Sequence, residues 1–164
     1  MELTLHPFVD TDIALVQLWL EKPHVKTWFN DPEDWLAELR NRHGEFSFIH
    51  HFIASVDETD DIKNPIGFCQ YYDCTKSGEV WRGIPLDGVY SIDYLLGEEQ
   101  YLGQGAGREL VRLITDAVWN DTPAVRIVVE PDTGNAASRA SLLANGYVHD
   151  PDLDLFFKER SAGR

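Results

Sequence analysis

The sequence Gln-Tyr-Leu-Gly-Gln-Gly-Ala-Gly at residues 100–107 follows an apolar, strand-like run at residues 89–96 and precedes an amphipathic helical pattern. A strand, a glycine turn and the start of a helix form a cradle for phosphate, because glycines let the backbone approach an anion closely and the free N–H groups of the first helical turn point at it. The spacing excludes a Walker A loop and the dinucleotide fingerprint G-x-G-x-x-G. Here the glycines at positions 103, 105 and 107 alternate.

Gln100 stands three residues before Gly103, so the segment fits the pattern Q/R-x-x-G-x-G/A and resembles the signature of the GNAT acetyltransferase superfamily. Residues 135–147 are similar to that superfamily's later segment N-x-x-A-x-x-x-Y-x-x-x-G-F, with Ser138 in place of the alanine and Leu142 in place of the tyrosine. Three further segments, at residues 19–28, 65–72 and 88–93, resemble aminoglycoside 6'-N-acetyltransferases.

Length and composition predict one globular domain over residues 1–164, because 43% hydrophobic and 12% aromatic content is sufficient for a core. No apolar run approaches the roughly 20 residues that cross a bilayer, and the N-terminus has no signal-peptide pattern. We therefore expect a cytoplasmic protein with no membrane partner. Cys69 and Cys74 lie five residues apart in one strand-like segment, which favours buried, reduced thiols over a disulfide.

The acidic composition limits the possible partners. The chain has 14 basic and 28 acidic residues, a formal net charge of −14, which argues against nucleic acid and is compatible with a small cationic substrate. A solubilising acidic surface accounts for most of these carboxylates equally well. Glu98 and Glu99 directly precede the cradle, so an anion bound there would depend on backbone N–H groups, the helix dipole and Arg108.

Hydrophobic periodicity and turn signals predict the order of the elements. Strands are expected at 3–8, 46–56, 66–73, 89–96, 124–129 and 153–158, with a turn at 57–61. Helices are expected after Asp10, at 33–42, after the glycines and at 135–145. Pro23 is expected to end the first helix, and the loop at 75–88 to border a ligand site. This order is an α/β (α+β) arrangement with a mixed sheet between helices. It is also the order of the GNAT fold, in which, by resemblance, two strands splay apart and open a cleft for acetyl-coenzyme A.

The resemblance implies acetyl-coenzyme A as co-substrate and assigns a set of residues to it. The strand residues Tyr94, Leu95 and Leu96 would act through their main chain. The remaining residues belong to the glycine segment, to the start of the helix after it and to the start of the last helix: Gln100, Leu102, Gly103, Gln104, Gly105, Ala106, Gly107, Arg108 and Asn135. Asn135 is also expected to cap its helix.

Asp93 is the predicted catalytic residue. It interrupts an otherwise apolar strand, and by resemblance it occupies the place of the aspartate assigned as general base in the aminoglycoside enzymes. Partial desolvation would raise its pKa toward the working range of a base, and its charge would attract an ammonium group. The structural alternative is an exposed strand residue that pairs with a neighbour.

The predicted substrate-binding residues are Trp28, Gln70, Tyr72, Asp73 and Glu130. Gln70 and Tyr72 share one strand face and can point together into a cleft. A core position explains Trp28 better than contact with a cation does, since a tryptophan at a helix end is usually buried. Glu130 stands, by resemblance, where an aspartate holds substrate amines, although a plain strand-end carboxylate accounts for it equally.

Two further patterns concern the chemistry. Leucine at position 142 cannot protonate a departing thiolate, so Ser141, Tyr147 or water would have to do so. His50 and His51 are adjacent on a strand and face opposite ways, and no cysteine or histidine stands at ligand spacing, so no metal is predicted.

The sequence thus predicts an acetyl-coenzyme A-dependent N-acetyltransferase that acts on a primary amine of a small cationic substrate such as an aminoglycoside. Two alternatives stay open at this point: an acyltransferase for a siderophore precursor or a protein amine, and a non-catalytic coenzyme A binder. Both a monomer and a homodimer fit the sequence.

Overall fold

The computed structural model describes residues 2–57, 59 and 63–162. Within that part of the chain the strands are β1 (Leu3–Pro7), β2 (Ile49–Asp57), β3 (Lys63–Asp73), β4 (Val89–Leu96), β5 (Arg126–Val129), β6 (Val148–Asp150) and β7 (Leu155–Glu159). The helices are α1 (Asp12–Leu20), α2 (Pro23–Lys26), α3 (Pro32–Arg40), α4 (Ala106–Asp121) and α5 (Ala136–Ala144), and a 3-10 turn spans Glu99–Tyr101. The seven described strands form one sheet in the order β1-β2-β3-β4-β5-β7-β6.

Helices cover both faces of this sheet. On one face α1 and α3 pack against it, and the buried residues Trp19, Leu36 and Leu39 contact a cluster that includes Phe68 and Leu95. On the other face α4 buries its apolar stripe, Leu110, Val111, Ile114 and Val118, together with Leu142 of α5. Each helix is therefore held by an apolar stripe against alternate residues of the strands, as the amphipathic patterns predict.

The parallel pair β4 and β5 is where the sheet opens. All other neighbouring strands are antiparallel. Pairing between β4 and β5 runs only from Val89 opposite Arg126 to Ser91 opposite Val128. Beyond Ser91, β4 continues to Leu96 beside β3, whereas β5 ends at Val129. The two strands thus separate into a V, which confirms the mixed sheet with splayed strands.

The structure corrects three details of the predicted elements. Pro23 does not end the first helix but occupies the first turn of α2, where its missing N–H costs nothing. Residues 46–48 form turns, so β2 begins at Ile49. The edge strand β6 was not predicted, because it has only three residues and its Val148 is 69% exposed. The predicted turn at 57–61 lies largely outside the described residues.

The expectation of buried thiols is met. Cys69 and Cys74 are free and buried, and burial raises the pKa of both thiols. None of the described helices combines the length and the apolar character needed to cross a membrane.

Candidate active site

The glycine segment has the backbone geometry of an anion cradle. Gly103 and Gly105 have φ of 72° and 85°, in the left-handed region that favours glycine, and Gly105 is the N-cap of α4. A Cβ at either position would meet nothing within 4 Å, so their requirement is conformational and not steric. The first-turn N–H groups of the 16-residue helix α4 have no acceptor within the helix and are therefore available to phosphate.

The carboxylate that precedes the cradle is occupied by the protein itself. Glu98 accepts hydrogen bonds from Trp19 Nε1 at 2.8 Å and from Lys22 Nζ at 3.3 Å, and these contacts lower its pKa. At Gly97 a Cβ would lie 2.0 Å from the Trp19 ring, so only glycine allows this approach. The expected conflict between Glu98 and a bound anion is thus reduced, because the Lys22 ammonium offsets the charge of Glu98 and the indole N–H holds the carboxylate by a hydrogen bond.

An apolar cleft of about 250 Å³ lies between the end of β4 and helix α5. We define it by its lining residues: His24, Val25, Trp28, Phe29, Tyr94, Leu95, Leu96, Leu102, Gly107, Asn135, Ala137, Ser138 and Ser141. It occupies the gap that the separation of β4 from β5 leaves. Carboxylates do not occur among these described lining residues, and the cleft reaches the cradle through Leu102 and Gly107.

An acidic cavity of about 540 Å³ lies where β4 and β5 begin to separate, beside Ser91 and Val129. Its carboxylates come from α3, the 75–88 loop, β4 and the segments after β5 and β6: Glu38, Glu79, Asp93, Glu130, Asp132 and Asp154. Arg82 is the one basic side chain among the described lining residues, and it pairs with Glu130. Net negative charge in a confined space selects for cations.

A smaller pocket of about 190 Å³ connects the acidic cavity with the apolar cleft. This junction shares Asp93, Glu130 and Asp132 with the cavity, and Trp28, Tyr94, Asn135 and Ser138 with the cleft. A ligand in the cleft and a second ligand in the cavity would therefore meet beside Asp93. The arrangement suits a transfer of a group between two bound molecules.

Asp93 has an altered acidity. Burial raises the pKa of its carboxyl to about 7, and the charges of Glu38 and Glu79 contribute in the same direction. Gln70 opposes the rise by donating from Nε2 to Asp93 Oδ2 at 2.9 Å. Gln70 is 2% exposed, so this donor is fixed in place. A carboxyl of this kind is ionised just above neutral pH and can accept a proton there.

The predicted substrate residues separate into three groups. Gln70, Tyr72 and Glu130 line the acidic cavity. Trp28, at 37% exposure, is not a core residue and lies in the junction and the cleft. Asp73 does not line the cavity, because strand alternation places it on the opposite face of β3 from Gln70 and Tyr72. Its carboxylate instead accepts from the Thr75 N–H and hydroxyl, which fixes the turn after β3.

The predicted coenzyme residues lie along one path. Tyr94, Leu95, Leu96, Leu102, Gly107 and Asn135 line the cleft. Gln100 accepts from Gln104 Nε2 through its carbonyl at the base of the cradle. Ala106 is fully buried in the first turn of α4, and Arg108 is exposed beside it. Asn135 caps α5 as predicted, since its Oδ1 accepts from the Ser138 N–H at 3.1 Å.

The sequence did not identify several lining residues. Glu38, Glu79 and Trp81 lie in the acidic cavity, and the indole N–H of Trp81 is buried with no hydrogen-bond partner among the described residues. Glu79 and Trp81 belong to the loop that was expected to border a ligand site. Burial, together with Glu38 and Glu130, raises the pKa of Glu79.

The structure also shows the surroundings of Leu142 and Tyr147, which bear on the proton source, and of the possible metal ligands. Leu142 is fully buried in the core, and Tyr147, at 2% exposure, bonds with the Thr115 hydroxyl at 2.8 Å away from the cleft. Among the described residues, no group of three or more His, Cys, Asp or Glu side chains could hold a metal ion.

Comparisons with known proteins identify acetyltransferases as relatives of this chain. The model of the acetyltransferase (GNAT) domain matches residues 9–155. The aminoglycoside N(6')-acetyltransferase type 1 of Klebsiella pneumoniae is 29% identical over 161 residues, which cover 91% of this chain and 78% of that protein. A kanamycin resistance protein of Rhizobium radiobacter is 30% identical over 80 residues, 46% of this chain and 74% of that one.

Solved structures share the fold over nearly the whole length. The aminoglycoside acetyltransferase AAC(6')-Ib in complex with coenzyme A and kanamycin has a TM-score of 0.80 and 25% identity, covering 97% of this chain and 95% of that one. The AAC(6')-Ib structure with paromomycin and acetyl-coenzyme A has a TM-score of 0.81 and 24% identity, covering 98% and 94%. The predicted family and fold are confirmed, and the chain belongs to the GNAT acetyltransferases.

Proposed function

We propose that this acetyltransferase transfers an acetyl group from acetyl-coenzyme A to a primary amine of a small polyamine of the aminoglycoside type. The amine attacks the thioester directly, and Asp93 acts as the general base. One observation carries the proposal: a carboxyl with a raised pKa lies where an acidic cavity meets an apolar cleft. The relatives named as aminoglycoside N(6')-acetyltransferases support the choice of acceptor.

The donor side is suited to coenzyme A. Its pyrophosphate fits the cradle formed by Gly103, Gly105 and the first turn of α4, and its pantetheine arm fits the apolar cleft along Tyr94–Leu96. Acetyl-coenzyme A supplies an acetyl group that is activated as a thioester. The backbone N–H groups of β4 that β5 leaves unpaired are the expected partners of the arm.

The acceptor side is suited to a compound with several ammonium groups. Six carboxylates line a cavity in which Arg82 is the one described basic residue. The indole rings of Trp35 and Trp81 also line the cavity and offer flat apolar surface to a sugar ring. Arg82 pairs with Glu130 and Arg139 pairs with Asp154, but Glu79, Asp93 and Asp132 have no arginine or lysine partner among the described residues. One ammonium group would not balance these three carboxylates, so a polycation is favoured over a simple amine.

Asp93 can remove the proton only as the reaction proceeds. An alkylammonium has a pKa of about 10, roughly three above that of Asp93, so full transfer in the ground state is unfavourable. The nitrogen therefore attacks as the neutral amine, after its first proton has been lost to water. Once it bonds to the carbonyl carbon its remaining excess proton becomes far more acidic, and Asp93 then accepts that proton. Gln70 Nε2 holds the carboxylate in place during this step.

The test uses a matched pair of acceptors. Neomycin and paromomycin differ at position 6', which carries an amine in the first and a hydroxyl in the second. Purified protein is incubated with acetyl-coenzyme A and each compound, while free thiol and acetylated product are followed. Thiol release with neomycin and much slower release with paromomycin is expected. Coenzyme A binding without release for any aminoglycoside would contradict the proposal and favour a non-catalytic binder or another acceptor.

A further inference from the structure

The departing thiolate needs a hydrogen-bond donor, and the described residues offer few. Position 142, where the superfamily segment has a tyrosine, is a leucine with no exposed surface. The Tyr147 hydroxyl is committed to Thr115 inside the core. Of the groups expected to replace the tyrosine, only Ser141 lines the apolar cleft.

Tyr94 presents a phenol to this part of the cleft from the opposite wall. It follows Asp93 directly on β4, and strand alternation sends the two side chains to different faces of the sheet. Tyr94 lines both the junction and the apolar cleft, and its hydroxyl lies 2.5 Å from Ser138 Oγ. The phenol is thus fixed across the gap between β4 and α5.

The position of Ser138 relates this phenol to the missing tyrosine. Ser138 and Leu142 are four residues apart on α5 and therefore lie on the same face of the helix, one turn from each other. The Tyr94 hydroxyl accordingly reaches α5 within one turn of the residue that leucine replaces. Tyr94 of β4 thus supplies a phenol near the position where α5 carries Leu142.

We propose that the Tyr94 hydroxyl, held by Ser138, donates a hydrogen bond to the sulfur of coenzyme A as the carbon–sulfur bond breaks. This inference rests on the proposed function, since it needs the thioester in the junction. The bond from the amine nitrogen to the carbonyl carbon forms, the carbon–sulfur bond breaks, and its electron pair stays on sulfur. The amine attacks in its neutral form, having lost one proton to water. Asp93 takes the proton that the nitrogen loses after the attack and later releases it to water, and the thiolate takes its proton from water on release.

The pKa of the Tyr94 phenol is that of a hydrogen-bond donor that does not lose its proton to the thiolate. Burial raises the pKa of Tyr94 to about 12, the charge of Asp93 adds to the rise, and the bond with Ser138 opposes it. A thiol has a pKa of about 8.5, so the phenol would not transfer its proton fully to the thiolate but would stabilise it through the hydrogen bond. Ser138 is a positioning residue in this arrangement.

The experiment titrates the thiol of bound coenzyme A, so it does not require turnover. Thiolate absorbance in the far ultraviolet is followed against pH, with desulfo-coenzyme A as the blank. Loss of a donor to the thiolate raises the thiol pKa, and Tyr94→Phe should raise it by about 1 to 2. Ser138→Ala should raise it less, because the phenol remains. Tyr90→Phe, on the same strand and face but outside the cleft, should leave it unchanged.

The outcomes separate this inference from the proposed function. Wild-type protein that binds coenzyme A, with the same thiol pKa in Tyr94→Phe, would overturn the role of Tyr94 and leave the proposed function standing. Wild-type protein that binds no coenzyme A would overturn both. Turnover of Tyr94→Phe should fall about tenfold at an unchanged KM for the acceptor, as expected for the loss of one hydrogen bond made in the transition state.

Discussion

The acidic cavity and the apolar cleft meet at the junction beside Asp93, yet they offer a ligand different interactions. The cavity presents six carboxylates and acts through charge. The cleft has no carboxylate among its described lining residues and acts through backbone N–H groups, apolar contact and the dipole of α4. An acidic protein with a net charge of −14 can therefore bind an anionic donor, because the six cavity carboxylates lie on one side of the junction and Lys22 pairs with Glu98 beside the cradle.

Removing the Asp93 charge should have the largest effect. Asp93→Asn keeps the size of the side chain but cannot accept a proton, so kcat should fall by about 10²–10⁴-fold while the Kd for acetyl-coenzyme A stays the same. Thiol release and calorimetric titration measure the two quantities. Asp73→Asn is the matched control, since its carboxylate faces away from the cavity, and it should change kcat less than about twofold. Undiminished turnover in Asp93→Asn would remove Asp93 from the role of base.

The cleft side is tested at the helix N-cap. Gly105→Ala forces a left-handed φ of 85° on a residue with a Cβ, at a cost of about 1–2 kcal/mol. The first turn of α4 should relax away from the cradle geometry, and affinity for acetyl-coenzyme A should fall about tenfold. Gly44→Ala, where a Cβ would only touch the Asn41 carbonyl at 3.7 Å, is the control. A change in the acceptor KM as large as that in coenzyme affinity would show that the two sides are not separate.

The cavity side is tested by its charge. Glu79→Gln should raise the acceptor KM about fivefold, because one carboxylate of a partly buried cluster is lost. Added salt should raise the wild-type KM and raise it less in the variant. Glu45→Gln, in an exposed turn outside the cavity, should leave the KM and its salt dependence unchanged. Equal effects of both variants would show that the overall charge, and not the cavity, attracts the substrate.

The smallest expected effect is on pH dependence. Asp93 must be ionised to act as a base, so kcat/KM should be lost as pH falls through about 7. The charge of Glu38 raises the pKa of Asp93, so Glu38→Gln should lower it and move the acid limb to lower pH by about 0.3–0.5. Glu33→Gln, exposed on the same helix, should not move the limb. If the acid limb of the kcat/KM profile does not move in Glu38→Gln, a group other than Asp93 causes that limb.

The donor side could be predicted from the sequence because its signals are local. An apolar run, alternating glycines and an amphipathic helix are contiguous, and all three became β4, the cradle and α4. The acidic cavity is assembled from separate elements. Glu38 and Glu79 come from α3 and from a loop, and each reads as an ordinary surface carboxylate until the fold brings them beside Asp93.

Two placements depended on geometry that composition does not contain. Asp73 belongs with Gln70 and Tyr72 by proximity along the chain, but the two-residue period of a strand sends it to the other face. Trp28 has the residue type of a core position, but the junction leaves 37% of it exposed. The pairing of the Tyr94 phenol with Ser138, 44 residues away, is a tertiary contact that no local sequence pattern contains.

The contact of Trp19 with Gly97 and Glu98 also bears on how the protein is made. The indole ring is 1% exposed in the finished fold, but its hydrogen-bond partner Glu98 lies 79 residues further along the chain. At a synthesis rate of about 5–20 residues per second, that partner emerges roughly 4–16 s after the ring. During this interval the Trp19 ring lacks its contacts with Leu95, Gly97 and Glu98. Arrest of translation before residue 98 should therefore leave a nascent chain that chaperones bind strongly, and passage beyond the cradle should release it.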